Sequence, residues 1–163
     1  MKYLTAVVLV LLLSGCGYIP SAKYSRAVVG DSISTSVIIS LVDPENSVIV
    51  KDALDTSIIE VFHASLTAKA YSKTHLELTL SNPSYTPIQY DADGFVIGYR
   101  TAVSIGIKRT IGDTVKNYKA YGTHDFSITP NAIISDKQRF EAIEFSSTKA
   151  IKSFVAQVAA EGS

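Results

Sequence analysis

Apolar and polar residues alternate from Ser32 onward, with Ile33, Thr35, Val37, Ile39 and Leu41 on one side and Ser32, Ser34, Ser36 and Ser40 on the other. A period of two marks a β-strand with one buried face and one serine-lined face. Asp43-Pro44-Glu45-Asn46-Ser47 breaks that pattern, and Asn46 or Ser47 supplies N-cap chemistry for a helix. The helix is expected to run to about Lys69, with Val50, Leu54, Ile58, Val61, Phe62 and Leu66 along its apolar stripe. Lys51, Asp52, Asp55 and Glu60 fall on the opposite face, where they read as solvated charges.

Alternation resumes from Lys73 to Ser81, Leu76, Leu78 and Leu80 opposing His75, Glu77 and Thr79. The segment Asn82 to Pro87 carries two prolines, neither of which can donate to a ladder, so the strand is expected to stop there. Asp91-Ala92-Asp93-Gly94 signals a tight turn. A long strand follows, with Phe95, Ile97, Tyr99, Val103, Ile105 and Ile107 on one face and Gly98, Arg100, Ala102, Ser104, Gly106 and Lys108 on the other. Ile111-Gly112-Asp113 turns the chain into a polar, tyrosine-rich strand, Thr114 to Ile128, expected antiparallel to its predecessor. Pro130-Asn131 ends it. Ser135 caps a final helix, with Asp136 in the first turn and Phe140, Ile143, Ser147, Ile151, Phe154 and Val158 at helical spacing.

The expected order is therefore β-α-β-β-β-α. Each helix stripe must be buried on something, and one sheet face accommodates both. The fold class predicted is α/β (α+β): a two-layer sandwich with two helices on one face of a four-stranded mixed sheet, its first two strands parallel and the rest a meander. The opposite face, rich in Ser, Thr and Gly, is left open to solvent or to a partner.

The N-terminus changes the picture from a soluble domain to an anchored one. Lys2 precedes a run of about ten apolar residues, Leu4 to Leu13, the length of a signal-peptide core and short of the ~20 needed to span a bilayer. It closes on Leu13-Ser14-Gly15-Cys16, and Cys16 is the one cysteine among 163 residues. The segment resembles a bacterial lipoprotein signal peptide, in which the cysteine sulfur carries diacylglycerol, cleavage precedes the cysteine, and the new amine is acylated. The alternative is an ordinary secretory signal with a chance cysteine. On the lipoprotein reading, residues 1–15 are the signal, residues 16–30 a lipidated tether, and residues 31–163 a single domain. Gly17 stands where an aspartate would retain such a protein in the inner membrane, so the resemblance places it in the outer membrane facing the periplasm. Acyl chains contribute about 0.8 kcal/mol per buried CH₂, and more than one makes the anchor stable.

Composition bounds the chemistry. Removing Lys2 leaves fourteen Lys and Arg against fifteen Asp and Glu, so no global field argues for nucleic acid. An alkylated Cys16 leaves no thiol for a disulfide, a metal or catalysis. His63, His75 and His124 fall on different elements without ligand spacing, and neither a phosphate loop nor a nucleophile elbow is present in the sequence. No enzyme, cofactor or metal is expected, although a Ser-His-Asp triad needs no sequence proximity and so stays open as a hydrolase alternative. Two groups stand out. Arg100, Lys108, Arg109, Lys116 and Lys119 cluster along two successive strands, either as solubility charges or as contacts for glycolipid phosphates, Arg bidentately and Lys as a point charge. Gly98 and Gly106 either ease strand twist or form a bulge, or else, with Ser104 between them, flatten a partner-facing surface against which another backbone or a lipid chain packs.

Four blocks stand out: Cys16-Gly17-Tyr18, Asp43-Pro44-Glu45-Asn46-Ser47-Val48 with Lys51-Asp52-Ala53-Leu54, Pro87-Ile88-Gln89-Tyr90-Asp91 with Gly94-Phe95-Val96-Ile97 and Tyr99-Arg100, and Arg139-Phe140-Glu141-Ala142-Ile143. Through them the mature chain resembles the lipopolysaccharide-assembly lipoprotein family (LptE), in its more divergent branch. The resemblance implies a non-catalytic protein. It would plug a large outer-membrane β-barrel, the LPS-assembly protein LptD, help that barrel assemble, and bind lipopolysaccharide through basic residues. The competing expectation is a lipid-anchored scaffold of the same fold class in an envelope or secretion complex.

Overall fold

The computed structural model describes residues 29–38, 48, 51–52, 55–56, 59–60, 64–81 and 83–161. The signal peptide, Cys16, most of the tether, Ile39, Leu41, His63 and most of the first expected helix lie outside the described residues. Within them, six strands form one mixed sheet: β1 Ser32–Ile38, β2 Ser65–Leu66, β3 Thr74–Leu80, β4 Ser84–Tyr90, β5 Val96–Ile111 and β6 Thr114–Ser127. One continuous helix, α1, spans Asp136–Glu161.

β5 organises the sheet. Its 16 residues run antiparallel to β6 along their length, from Gly98 opposite Ser127 to Ile111 opposite Thr114. On its other side the first half pairs with β4 and the second with β3, both antiparallel. Ser81 spans the junction, its N–H donating to the Ser104 carbonyl at 2.9 Å. β1 lies parallel to β3, as the β-α-β expectation required, and β2 adds two residues parallel to β1.

Two strands beyond the expected four therefore exist, for separate reasons. β2 is two residues long, too short to show a period. β4 contains Pro87, yet a proline is tolerated in an edge strand, and the register slips just past it, between Pro87 and Gln89. The first helix also needs correction. Val48, Lys51, Asp52, Asp55 and Thr56 are helical, but Ser65–Leu66 are extended and Lys69–Tyr71 form a 3-10 turn, so no helix reaches Lys69. Among the described residues there is thus one continuous helix where two were expected. Asp55 is not merely solvated, because it accepts a hydrogen bond from Thr35 Oγ1 at 2.7 Å as well as pairing with Lys51 one turn away.

The core lies between α1 and one sheet face. β5 and β6 register in opposite parity, which places Val103, Ile105 and Ile107 beside Ala120 and Gly122 under the helix. Ile143, Ser147, Ile151, Phe154 and Val158 of the expected stripe are buried, whereas Phe140 is exposed. The helix starts as the sequence prescribes. Ser135 Oγ accepts the Gln138 N–H at 3.3 Å while Gln138 Oε1 accepts the Ser135 N–H at 3.1 Å, a reciprocal capping box. At the tether boundary Val29 is buried, and its carbonyl accepts from the Thr74 hydroxyl.

Candidate functional site

The face of the sheet away from α1 carries Ser34 and Ser36 on β1, His75, Glu77 and Thr79 on β3, alternate residues of β5 from Gly98 to Lys108, and Asn117 to Asp125 on β6. This is the polar face expected from the alternation. Its centre is a shallow depression of about 290 Å³ lined by Glu77, Thr79, Gly106, Lys108 and Asn117, among others. Gly106 forms its floor, and an added Cβ there would meet nothing closer than the Thr79 carbonyl at 3.8 Å. Gly98 is covered instead, with the Gln89 side chain 3.0 Å from where a Cβ would stand. Ser104 is bound through its backbone to Ser81 at the β3–β4 junction.

Beside the depression lies a serine–histidine cluster that sequence spacing did not reveal. Ser34 Oγ is 2.8 Å from His75 Nδ1 and 2.7 Å from Ser72 Oγ, and Ser36 Oγ is 3.1 Å from His75 Nε2. The parallel register opposes Ser34 to His75, so two isolated polar positions become neighbours only through pairing. Burial, aided by Lys69 and Lys108, holds the imidazole below its ordinary pKa against the opposing effects of Glu77 and Ser34. A neutral ring donates from one nitrogen and accepts at the other, so both serines are satisfied. Neither nitrogen faces a carboxylate in the hydrogen bonds of the ring. His124 is elsewhere, stacked on Phe145 at 4.8 Å between ring centres. Among the described residues no three His, Cys, Asp or Glu side chains are grouped to hold a metal.

The five basic residues do not form one patch. Arg100 is exposed and paired bidentately with Asp125, Nε and Nη2 each 2.7 Å from a carboxylate oxygen. Lys108 is exposed on the open face, 3.7 Å from Glu77. Lys119 lies opposite Gly106 on the same face, its ammonium 5.4 Å from the Tyr121 ring centre. Arg109 points the other way. It is 4% exposed on the core face, 3.0 Å from Glu161, with its guanidinium 5.3 Å from the Tyr118 ring centre. Lys116 joins the same carboxylate at 3.1 Å and Tyr118 Oη donates to it at 2.8 Å. Parity explains the split, because Lys108 and Arg109 are consecutive and must face opposite sides.

That second group stabilises the end of α1. Glu161 sits in the last helical turn, where a negative charge opposes the helix dipole. Burial also disfavours its ionised form, but the hydrogen bonds from Tyr118 and Lys116 and the charge of Arg109 outweigh both and hold its pKa below the ordinary carboxylate value. Burial and the bond to Glu161 push Tyr118 up to about 12 from 10.0. A depressed carboxyl contributes stability that is lost as pH falls through its folded pKa. A raised phenol contributes stability that is complete below its unfolded value and lost as pH rises toward its folded one. The expected result is a loss of stability between pH 10 and about 12 in urea melts, absent from Tyr118→Phe. The same variant should lose about 1 kcal/mol at neutral pH with the hydroxyl–carboxylate bond.

No family model and no curated protein matches the chain. Solved structures do. Rare lipoprotein B from Shewanella oneidensis superposes with a TM-score of 0.51 at 14% identity, over 80% of this chain and 94% of that one. A putative lipoprotein from Caulobacter crescentus gives 0.53 at 9% identity over 86% and 96%. A minor lipoprotein from Acinetobacter baumannii gives 0.51 at 5% identity over 80% and 92%. The chain shares their fold. At such identities the likeness concerns architecture, and it reaches almost the full length of each neighbour. Among the described residues no helix is long and apolar enough to cross a membrane.

Proposed function

We propose that this protein is a lipid-anchored envelope protein, held through acyl chains on Cys16 at the periplasmic face of the outer membrane and acting by binding rather than catalysis. The observation that carries the reading is Leu13-Ser14-Gly15-Cys16 ahead of a domain whose fold is shared with solved lipoproteins. In its finer form, the domain plugs and assists assembly of the lipopolysaccharide-translocating barrel LptD and contributes to lipopolysaccharide insertion. Support for that form comes from the family-like blocks in the sequence and from the broad polar face that a barrel lumen could accept.

Within this reading the glycolipid contacts narrow. Lys108 and Lys119 remain on the open face, diagonal neighbours across the Gly106 depression. Such neighbours lie about 7–8 Å apart, a span that suits one phosphate group. Arg109 and Lys116 are committed to Glu161, and Arg100 to Asp125.

Affinity purification of the detergent-solubilised, palmitate-labelled protein tests both levels. Label on the wild type and none on Cys16→Ser supports the anchor, and a salt-resistant stoichiometric β-barrel supports the plug. Recovery with a secretion or envelope scaffold instead would sink the plug and keep the anchored scaffold.

A further inference from the structure

Five large apolar side chains that folding would ordinarily bury are exposed at one end of the sheet. Ile88 and Tyr90 lie on β4, Phe95 follows the β4–β5 turn, and Ile133 and Phe140 flank the start of α1. Ile133 is 92% exposed. These segments share one end because Tyr90 registers with Val96 and Ser127 with Gly98.

The turn presenting Phe95 is locked. Asp91 Oδ1 accepts the N–H groups of Asp93 at 3.0 Å and Phe95 at 2.8 Å, and the Asp91 N–H donates to the Phe95 carbonyl at 2.9 Å. Gly94 takes the positive φ of 85° that closes it. A side chain held exposed on a rigid turn is pre-organised for contact, since little entropy remains to be lost on binding.

The tether enters at the opposite end. Gly30 packs beside Lys73 and Thr74, and Thr74 registers with Ile111 at the far end of β5. Sixteen strand residues at about 3.3 Å each separate the two ends by about 50 Å. The apolar end therefore points away from the anchored end. Its charge is acidic: Asp91, Asp93, Asp136 and Glu141 stand against Lys137 and Arg139. That balance disfavours an anionic lipid surface and favours a basic one.

We propose that this distal end is a docking surface for a partner protein whose contact face is apolar and rimmed by basic side chains. Exposed apolar side chains at an acidic end suit a protein interface, whose core is apolar and whose rim is polar. The orientation argument rests on the lipid-anchored reading above.

The test uses the full-length, lipidated protein in native cells, with a benzophenone amino acid replacing Ile133 in one strain and Tyr71, exposed near the tethered end, in another. The expected result is a single protein adduct of defined mass from position 133, none of that mass from position 71, and at least a tenfold loss of the adduct when Asp93→Lys is added. Asp93 engages the turn through its backbone N–H, so that variant should melt like the wild type. An adduct with a second copy, an adduct with phospholipid, no adduct, or one indifferent to Asp93→Lys would overturn the proposal. Palmitate labelling separates the two ideas: label present without the adduct removes the docking surface alone, and label absent removes the anchored orientation.

Discussion

Gly122→Ala is expected to destabilise the domain by about 3 kcal/mol or more, the upper end for forcing an extra methyl into a packed core. A Cβ at Gly122 would stand 1.9 Å from the Ser146 carbonyl oxygen and 2.5 Å from the Ala150 nitrogen. Both are backbone atoms of α1, so no rotamer change relieves the clash. The helix would have to lift off β6, parting contacts around Ala120, Ile151 and Phe154. Ser146, Ser147 and Ala150 line the facing side, and their small size is what lets the helix backbone approach the strand. Denaturant melts of Gly122→Ala against Gly106→Ala give the comparison, because a Cβ at Gly106 would make only ordinary contacts with Thr79 and should change stability by less than about 0.5 kcal/mol. Equal effects would mean that the helix does not pack on the strand at this separation.

Phe154→Ala should cost about 3–5 kcal/mol, the usual range for truncating a buried aromatic. Phe154 is fully buried and meets Tyr118 edge to face with ring centres 5.2 Å apart. Tyr118 in turn donates to Glu161, so the cavity also loosens the terminal turn of α1. Phe154→Leu keeps most of the volume and should cost about 1.5 kcal/mol or less. In urea melts the alanine variant should also weaken the loss of stability between pH 10 and about 12, because a Tyr118 with less packing is less desolvated. A Phe154→Ala variant with wild-type stability would show that α1 does not close the core.

How far the fold was legible depended on the range of the signal. Alternation in β1, β3 and β5 spans at least six residues each, and the structure keeps the expected inner and outer sides in all three, while β6 pairs antiparallel to β5 as expected. The Gly94 and Gly112 turns and the Ser135 cap rest on one to four residues and were equally readable. β4 was misread because a proline argues against a strand only where its neighbour on that side is another strand. The basic residues were misread as one group because nearness along a strand is not nearness on a face.

Local residue chemistry was enough to determine the period of β1, β3 and β5, the turns between β4, β5 and β6, the start of α1, the polar character of one sheet face and the lipobox-like segment ending at Cys16. Each follows from backbone preferences or side-chain alternation acting over a few residues. Pairing decided the rest. The parallel register of β1 and β3 brought Ser34 and Ser36 to His75. The close seat of α1 turned Gly122 from an unremarked glycine into a packing constraint. The burial of Arg109 beside Glu161 joined residues 52 positions apart. Such contacts form between segments distant in sequence, where no local preference specifies which residue will be opposite which.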